Sequence, residues 1–282
     1  MTDREFDSAP AAAPSAAFVD VPGVRNLRDA AGTAGAGRLR PGRLYRSGSL
    51  HTLTPEGAQR LKTLGLRTVI DLRSSAELAS WPDLRHGLDH DTLHLPTFPA
   101  DREGTDEPWP DNQADLYLYL PAVAGPSIAA TIRRLITPGA LPALVHCAVG
   151  KDRTGITIAV LQSLLGATDA EITADFLLSN TGLGLLDGPA PYVDETGTER
   201  ISRPITTALL RSALDLIRTT HGSVTGYVHT AGVTEAEVAA LREALGAERL
   251  QDRTCRFPSG LSAGEATVEV SACNRPATGE ST

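Results

Sequence analysis

Short apolar runs alternate along this chain with longer segments that carry apolar residues at helical spacing. Residues 66–73, LRTVIDLR, have the length of a buried strand and are rich in β-branched side chains. Residues 91–96 alternate between polar and apolar positions, as a strand does. Residues 43–47 and 142–146 are two further short runs of strand length. We therefore predict four strands in this part of the chain.

Residues that start and stop helices separate these runs. Thr54 stands at an N-cap position, Pro55 in the first turn and Gly65 just past the end of a helix that follows the first strand. A turn signal on each side of an apolar-periodic segment is typical of a short surface helix. The first strand and this helix therefore form the start of an alternating pattern.

The second half of the chain is predominantly helical in pattern. Residues 112–137 have helical periodicity with interruptions near Pro121 and Pro126, and residues 153–166 predict a helix that ends at Gly166. Two further helix starts carry the Thr-x-x-Glu capping box, at residues 168–171 and 234–237.

Strands that alternate with helices predict an α/β fold with a central, mostly parallel sheet flanked by helices. One domain over residues 18–249 accounts for the alternation. Residues 181–223 depart from it, and we interpret them as a helical lid or insertion, with a packing helix as the alternative. The start, 1–17, is rich in Ala, Pro and Ser and predicts a disordered segment, whereas residues 250–282 predict a flexible tail.

The stretch VHCAVGKDRTG, residues 145–155, carries the clearest chemistry. It joins a predicted strand to a predicted helix, at the carboxyl end of the strand, where open α/β sheets bind ligands. Backbone N–H groups of such a loop can point inward toward an anion, and the helix that follows adds the positive end of its dipole. The residues predicted to surround a phosphate are Ala148, Val149, Gly150, Lys151 and Arg153.

Cys147 and Arg153 stand at the two ends of this loop and predict covalent catalysis. A helix N-terminus and nearby cations stabilise a thiolate, so Cys147 would attack phosphorus and carry the phosphoryl group until water releases it. Arg153 offers a planar fork that binds two phosphate oxygens at once. This chemistry needs no metal and no cofactor.

Other loop types match the stretch less well. A Walker A loop needs Gly where Val145 stands, and Ser or Thr where Asp152 follows the lysine. A rhodanese-type sulfurtransferase also uses a loop cysteine but does not predict the Gly-Lys-Asp-Arg-Thr-Gly run. Two further interpretations stay open: a buried structural cysteine, and a phosphate-binding protein without turnover, which would not need Asp152 beside Cys147.

Composition narrows the setting of this chemistry. A net charge of −8 over 282 residues argues against a broad nucleic-acid-binding surface. The three cysteines form no CxxC pair, and the acidic, proline-containing start differs from a signal peptide. No stretch reaches the roughly 20 apolar residues of a membrane span. We expect a cytoplasmic protein without stable membrane insertion, and the sequence carries no signal for an oligomeric state.

The loop resembles that of the cysteine-dependent protein tyrosine phosphatases. Three other segments are similar to the bacterial triple-specificity branch of that family: GVRNLRD (23–29), LYRSGSL (44–50) and VIDLRSSAE (69–77). The resemblance extends over residues 18–248 and implies the phosphatase fold. It also implies activity on phosphotyrosine, often with phosphoserine, phosphothreonine and phosphoinositides, so that the partner is a phosphorylated protein or an inositol lipid.

The resemblance also implies a role for each loop residue. Cys147 would be the nucleophile, Arg153 the phosphate binder and Asp152 the general acid. Asp152 is fixed in the loop itself, and a phosphate bound beside it favours the protonated carboxyl that a general acid needs. Asp111 is the second candidate for this acid and Asp101 the third.

Two Trp-Pro-Asp tripeptides bear on that choice, because this motif carries the acid in eukaryotic-type tyrosine phosphatases. Both tryptophans of the chain lie in such a tripeptide, at 81–83 and 109–111. Asp83 precedes the strand 91–96 and is predicted at the opposite edge of the sheet from the active site. Asp111 follows that strand and keeps its place among the candidates.

Three further features bear on the pocket. Six arginines predict either a basic rim that attracts phosphorylated substrates or a solvated face with ordinary ion pairs: residues 25, 28, 38, 40, 43 and 46. Asp71, at the end of a strand, would orient Arg153 or another pocket arginine, or bond to backbone. His146 is expected to hydrogen-bond within the loop rather than to move protons.

Overall fold

The structure, a computed structural model, describes residues 17–32, 39–98, 110, 112–193 and 198–246. Apart from residue 17, the segments predicted as a disordered start (1–17) and a flexible tail (250–282) lie outside these residues. The strands are β1 (Arg28–Asp29), β2 (Leu44–Ser47), β3 (Thr68–Asp71), β4 (Asp91–His94), β5 (Ala143–His146), β6 (Ala190–Val193) and β7 (Glu199–Ser202). The helices are α1 (Pro55–Lys62), α2 (Ser75–Ser80), α3 (Gln113–Val123), α4 (Gly125–Leu135), α5 (Asp152–Leu164), α6 (Asp169–Gly182), α7 (Thr207–His221), α8 (Val224–Thr230) and α9 (Glu235–Leu245).

The main sheet has five strands in the order β1-β2-β5-β3-β4, and only β1 runs antiparallel to its neighbour. This arrangement confirms the predicted α/β fold with a mostly parallel sheet. The register brings Ser47, His146, Asp71 and His94 to one level at the carboxyl ends of the four parallel strands. The loop after β5 therefore opens at the middle of that edge.

Both faces of the sheet are covered, which explains the apolar character of its strands. Ile70 and Val145 point into a large core that also contains buried residues of α3 to α9. Val69 and Leu144 point to the other face, where they share a smaller core with Leu61 of α1. Alternate residues of each strand thus belong to different cores.

The helix starts follow the predicted caps. The Thr54 hydroxyl accepts a hydrogen bond from Gly57 N (3.0 Å), and the capping boxes at Thr168 and Thr234 are both formed. The predicted interruption at Pro121 does not occur, since Pro121 lies inside α3. The Pro121 carbonyl accepts a hydrogen bond from the Tyr227 hydroxyl (2.8 Å). The break lies at Ala124, between α3 and α4, so that Pro126 falls in the first turn of α4, where a missing N–H is tolerated.

Residues 181–223 differ from the predicted helical lid. After α6 ends, β6 and β7 pair as an antiparallel hairpin, and only then does α7 begin. Pro189, Pro191 and Pro204 explain the difference, because proline disfavours helix interiors and its preceding residue favours extended backbone. α7 itself is a packing helix, with buried apolar residues that contribute to the large core. Among the described residues, no helix is long and apolar enough to cross a membrane.

Candidate active site

The predicted catalytic loop runs from the end of β5 to the start of α5. Cys147 follows the central strand directly and is only 2% exposed. Gly150 turns the loop with φ +70°, and a Cβ at this position would lie 2.2 Å from the Ser47 carbonyl oxygen. Glycine is therefore required for the loop to close against β2.

Three successive loop carbonyls are hydrogen-bonded to the protein behind the loop. The Ala148 carbonyl accepts from Ser49 N (3.1 Å). The side-chain amide of Asn26 donates to the carbonyls of Val149 (3.2 Å) and Gly150 (3.0 Å). Because the C=O and N–H of a trans peptide point in opposite directions, the N–H groups that follow these carbonyls point to the inner side of the loop. This arrangement is a cradle for an anion.

A buried ion network holds this cradle from behind. Asp175 on α6 accepts from Arg28 Nε (2.8 Å) and Arg46 Nη1 (2.7 Å), and none of the three side chains is more than 3% exposed. Arg28 Nη1 donates to Asn26 Oδ1 (2.6 Å), and Arg46 Nη2 donates to the Gly150 carbonyl (2.9 Å). Burial disfavours the charge of Asp175, but Arg46 and Arg28 outweigh it and lower its pKa. The carboxylate therefore stays charged and fixes both arginines.

The described arginines of residues 25–46 do not form a basic rim around the cleft, which was the first of the two alternatives. Arg28 and Arg46 are buried in the ion network, where both donate to Asp175 and Arg46 also donates to the Gly150 carbonyl. Arg25 lines the cleft in front of the loop. The other three lie beside the end of α9 (Arg40), just before β2 (Arg43) and outside the described residues (Arg38).

Arg153 is clamped by a carboxylate from α2. Its Nη1 and Nη2 donate to Glu77 Oε2 (2.6 Å) and Oε1 (2.7 Å), and its guanidinium carbon lies 5.3 Å from the centre of the Phe98 ring. Burial opposes both charges, yet Arg153 lowers the pKa of Glu77 to about 2. Burial alone would lower the pKa of Arg153, but Glu77 raises it overall, with smaller contributions from Cys147 and Asp152. The fork is thus charged and oriented near the thiol.

A second buried cluster lies behind the start of the loop. Asp71 accepts from Arg73 Nε (2.9 Å) and Nη2 (2.7 Å), so it orients Arg73 rather than Arg153. Arg73 also donates to Asp83 Oδ1 (2.9 Å), and Asp83 Oδ2 lies 3.0 Å from His146 Nε2. Burial lowers the pKa of His146. Its contact with Asp83 and the charge of Asp71 raise that pKa by more than burial lowers it, so the net shift is upward. His146 is therefore a buried anchor of the loop.

The prediction that Asp83 lies at the opposite edge of the sheet is wrong. α2 has only six residues, which advance the chain by about 9 Å, so the chain is still near the carboxyl edge when it reaches Trp81. Asp83 accepts from Leu50 N (2.8 Å) as well as from Arg73. The chain crosses to the other edge only afterwards, over residues 84–90, before β4 begins.

Asp152 is the first residue of α5 and lines the cleft. Its Oδ1 accepts a hydrogen bond from the Tyr117 hydroxyl (2.8 Å), and its Oδ2 lies 3.8 Å from Lys151 Nζ. Tyr117 is fully buried on α3, whereas the Asp152 side chain is 22% exposed. Burial, and then the charge of Asp152, raise the pKa of Tyr117 well above its ordinary value.

The loop lies at the base of a cleft of about 620 Å³. Trp81 and His51 form one wall, with their rings stacked at 5.4 Å. The hairpin forms the other wall through Tyr192 and Ile201. Loop residues at the base are Ala148, Val149, Lys151, Asp152 and Arg153.

Lys151 connects the loop to the hairpin. Its ammonium donates to Ser202 Oγ (3.2 Å) and to the Arg203 carbonyl (2.8 Å), and the residue is only 4% exposed. The hairpin, rather than a helix, is therefore the part of 181–223 that reaches the loop.

The second and third candidates for the acid, Asp111 and Asp101, lie outside the described residues. Pro110 and Asn112, which flank the first of them in the chain, both line the cleft.

Glu77, Tyr117 and Asn26 bond directly to residues of the loop and were not among the predicted site residues. Glu77 carried a signal, because it ends the segment VIDLRSSAE and caps α2 with Ser74. Asn26 carried the same kind of signal, because it lies inside GVRNLRD, whereas Tyr117 carried none that a single sequence reveals, since it meets the loop only through the fold.

Comparison with known proteins gives matches over most of the chain. The family described as "Tyrosine phosphatase family" matches residues 19–247. The triple specificity protein phosphatase PtpB of Mycobacterium tuberculosis is 32% identical, over 80% of this chain and 98% of that protein. A tyrosine-protein phosphatase of Nostoc commune is 28% identical, over 71% of this chain and 73% of that protein. The crystal structure of P. aeruginosa TpbA is 19% identical, covers 68% of this chain and 88% of that one, and has a TM-score of 0.37.

Proposed function

This chain belongs to the tyrosine phosphatase family, and from that premise we propose how its residues divide the work of phosphate ester hydrolysis. The protein is a tyrosine-protein phosphatase that acts through a cysteinyl-phosphate intermediate. We assign the nucleophile to Cys147, the phosphate clamp to Arg153 and the loop amides, and the general acid to Asp152.

In the first step the Cys147 thiolate attacks phosphorus and forms the S–P bond. The P–O bond to the leaving group breaks, its electron pair goes to the leaving oxygen, and Asp152 gives that oxygen a proton. The loop N–H groups and the Arg153 fork hold the three equatorial oxygens, on which charge is spread.

In the second step water attacks phosphorus and the S–P bond breaks, which returns the thiolate. The Asp152 carboxylate, left ionised by the first step, accepts a proton from that water, so inorganic phosphate leaves and the acid is restored. No metal or redox partner enters the balance.

The carbonyls of Ala148, Val149 and Gly150 carry the proposal. All three are bonded behind the loop, so the amides that would bind phosphate face the inner side before any ligand arrives. A buried structural cysteine would not need this arrangement.

Turnover of p-nitrophenyl phosphate tests the nucleophile. Cys147→Ser should abolish hydrolysis, EDTA should leave it unchanged, and acid quenching of the wild type should trap phosphate on the peptide that contains Cys147. Cys255→Ser is the matched control and should retain full activity. Activity that survives Cys147→Ser would exclude the proposed intermediate.

The pH dependence of kcat/KM tests the acid, because its basic limb reports loss of the donated proton. Asp152→Asn should lose that limb and slow turnover by about 10²–10⁴-fold. Asp111→Asn and Asp101→Asn should keep it. A lost limb in Asp111→Asn together with a normal Asp152→Asn would reverse this assignment.

For substrates, we propose phosphotyrosine proteins first, with phosphoserine, phosphothreonine and phosphoinositides as further substrates. A relative named as a triple specificity phosphatase and the cations Arg25 and Lys151 around the cleft support this breadth. Rates against matched phosphopeptides and phosphoinositide vesicles test it, and a rate on phosphotyrosine alone would narrow the class. We also propose a cytoplasmic setting, since reducing conditions keep a catalytic thiolate from oxidation.

A further inference from the structure

Tyr117 and Asp152 form a contact that the phosphoryl-transfer chemistry above leaves unused. The hydroxyl of Tyr117 donates to Asp152 Oδ1 at 2.8 Å. Its ring is fully buried and packs edge-on against Phe176 at 5.8 Å, with the planes at 85°. Packing of this kind fixes the direction from which the hydroxyl approaches the carboxyl group.

The contact distinguishes the two oxygens of Asp152. A hydroxyl that donates to Oδ1 occupies the side of that oxygen where an acidic proton would otherwise sit. Within the described part of the chain, the cation nearest to Oδ2 is the ammonium of Lys151, which is 3.8 Å away and already bonded to Ser202 and Arg203. The proton of the neutral acid therefore belongs on Oδ2.

We propose that Tyr117 is a positioning residue that keeps the transferable proton of Asp152 on Oδ2, the oxygen that serves the leaving group. The inference rests on Asp152 as the general acid. Tyr117 gives up no proton in either step: it donates to Oδ1 whether Asp152 is neutral or ionised, while Oδ2 releases and then regains the proton.

The environment of Tyr117 suits a permanent donor. Burial and the charge of Asp152 raise its pKa well above the ordinary value, so the phenol stays protonated throughout the working pH range. Arg46 lies near enough to oppose that shift in part, and Cys147 near enough to add to it. A group in this position can orient an acid but cannot replace it.

The test compares Tyr117→Phe with wild type, using a good and a poor leaving group. Phenyl phosphate needs a proton at its leaving oxygen far more than p-nitrophenyl phosphate does. Tyr117→Phe should therefore slow the hydrolysis of phenyl phosphate about tenfold, which is a part of the roughly 10²–10⁴-fold rate acceleration that a general acid supplies. It should slow the hydrolysis of p-nitrophenyl phosphate less than about threefold. The basic limb should move to higher pH, because the carboxylate loses a hydrogen bond that stabilises its charged form.

Tyr227→Phe is the matched control. It removes a buried tyrosine hydroxyl that also bonds to α3, at the Pro121 carbonyl (2.8 Å), without touching Asp152. It should lower the melting temperature yet leave both the leaving-group dependence and the basic limb at wild-type values. If it reproduces the kinetic changes of Tyr117→Phe, those changes come from loosening of α3 and the proposal fails.

Two results separate failure of this inference from failure of the general-acid assignment. The role of Tyr117 alone is refuted if Asp152→Asn loses the basic limb while Tyr117→Phe keeps both the limb and the leaving-group dependence of the wild type. A limb that persists in Asp152→Asn refutes both. Should Tyr117→Phe not fold, 3-fluorotyrosine placed at 117 keeps the ring and strengthens the donor. It should then move the basic limb to lower pH, and an unmoved limb would again refute the role.

Discussion

The ion pair between Glu77 and Arg153 makes the most quantitative prediction, through the variant Glu77→Gln. Gln keeps the shape of Glu77 and can still accept from Ser74 N, but it removes the charge that both nitrogens of Arg153 contact at 2.6 and 2.7 Å. The pKa of Glu77 falls from 4.5 to about 2 in the folded protein. Each unit by which the pKa changes corresponds to about 1.4 kcal/mol, so the ionised form of Glu77 contributes about 3 kcal/mol to the free energy of unfolding at neutral pH.

This stabilisation has a defined pH window. Because the folded pKa of Glu77 is depressed, the contribution is complete above pH 4.5 and is lost as the pH falls toward 2. Glu77→Gln should lower the free energy of unfolding by about 3 kcal/mol at pH 7, and by about half of that at pH 3, in denaturant titrations. For a domain of this size the loss at neutral pH corresponds to a fall in Tm of about 6–12 °C.

The same variant should weaken catalysis, since the fork is no longer fixed beside the loop. We expect kcat/KM for p-nitrophenyl phosphate to fall about 10- to 100-fold, with weaker inhibition by vanadate. Ser74→Ala is the control: it removes the cap of α2, worth about 1 kcal/mol, and leaves the ion pair intact. Wild-type stability and kcat/KM in Glu77→Gln, or a stability difference that does not change with pH, would refute the reasoning.

Three further variants test the supports of the loop. Asp175→Asn leaves two buried arginines without their carboxylate, so we expect a loss of about 3–5 kcal/mol in urea unfolding, and a loss under about 1 kcal/mol would contradict the network. Gly150→Ala places a Cβ 2.2 Å from the Ser47 carbonyl, so kcat/KM should fall at least about 100-fold even if the protein folds; near-normal activity would show that the loop can relax. Asp83→Asn removes the partner that raises the pKa of His146. The contact between charged His146 and Asp83 stabilises the folded protein fully below pH 6.5, and this stabilisation is lost as the pH rises through the pKa of His146 in the folded protein. Its destabilisation should therefore be greater at about pH 6 than at about pH 9, and equal values would exclude a charged His146.

Local signals predicted the parts of the fold that depend on neighbours in sequence. Thr54, Thr168 and Thr234 mark helix starts because a cap bonds only to residues two or three positions away. The place of the loop at the carboxyl edge followed from strand and helix alternation alone.

Features that depend on distant parts of the chain were not readable. Arg28 and Arg46 looked like surface cations because their partner, Asp175, is well over a hundred residues away. Asp83 was misplaced because strand order does not reveal that α2 is only six residues long. The hairpin that replaces the expected helical lid depends on the pairing of β6 with β7, and a single sequence gives little register information for such a pair.

The bonds from Lys151 to Ser202 and Arg203 make the hairpin and the anion loop thermodynamically linked. A small anion that draws the ammonium toward itself gains an ion pair but loses those two hydrogen bonds. Tyr192 and Ile201 of the same hairpin line the cleft, so a long substrate in the cleft would contact the element that holds the ammonium. By reciprocity, any effect of such a substrate on the affinity of the loop for phosphate must equal the effect of phosphate on the affinity of the hairpin for that substrate.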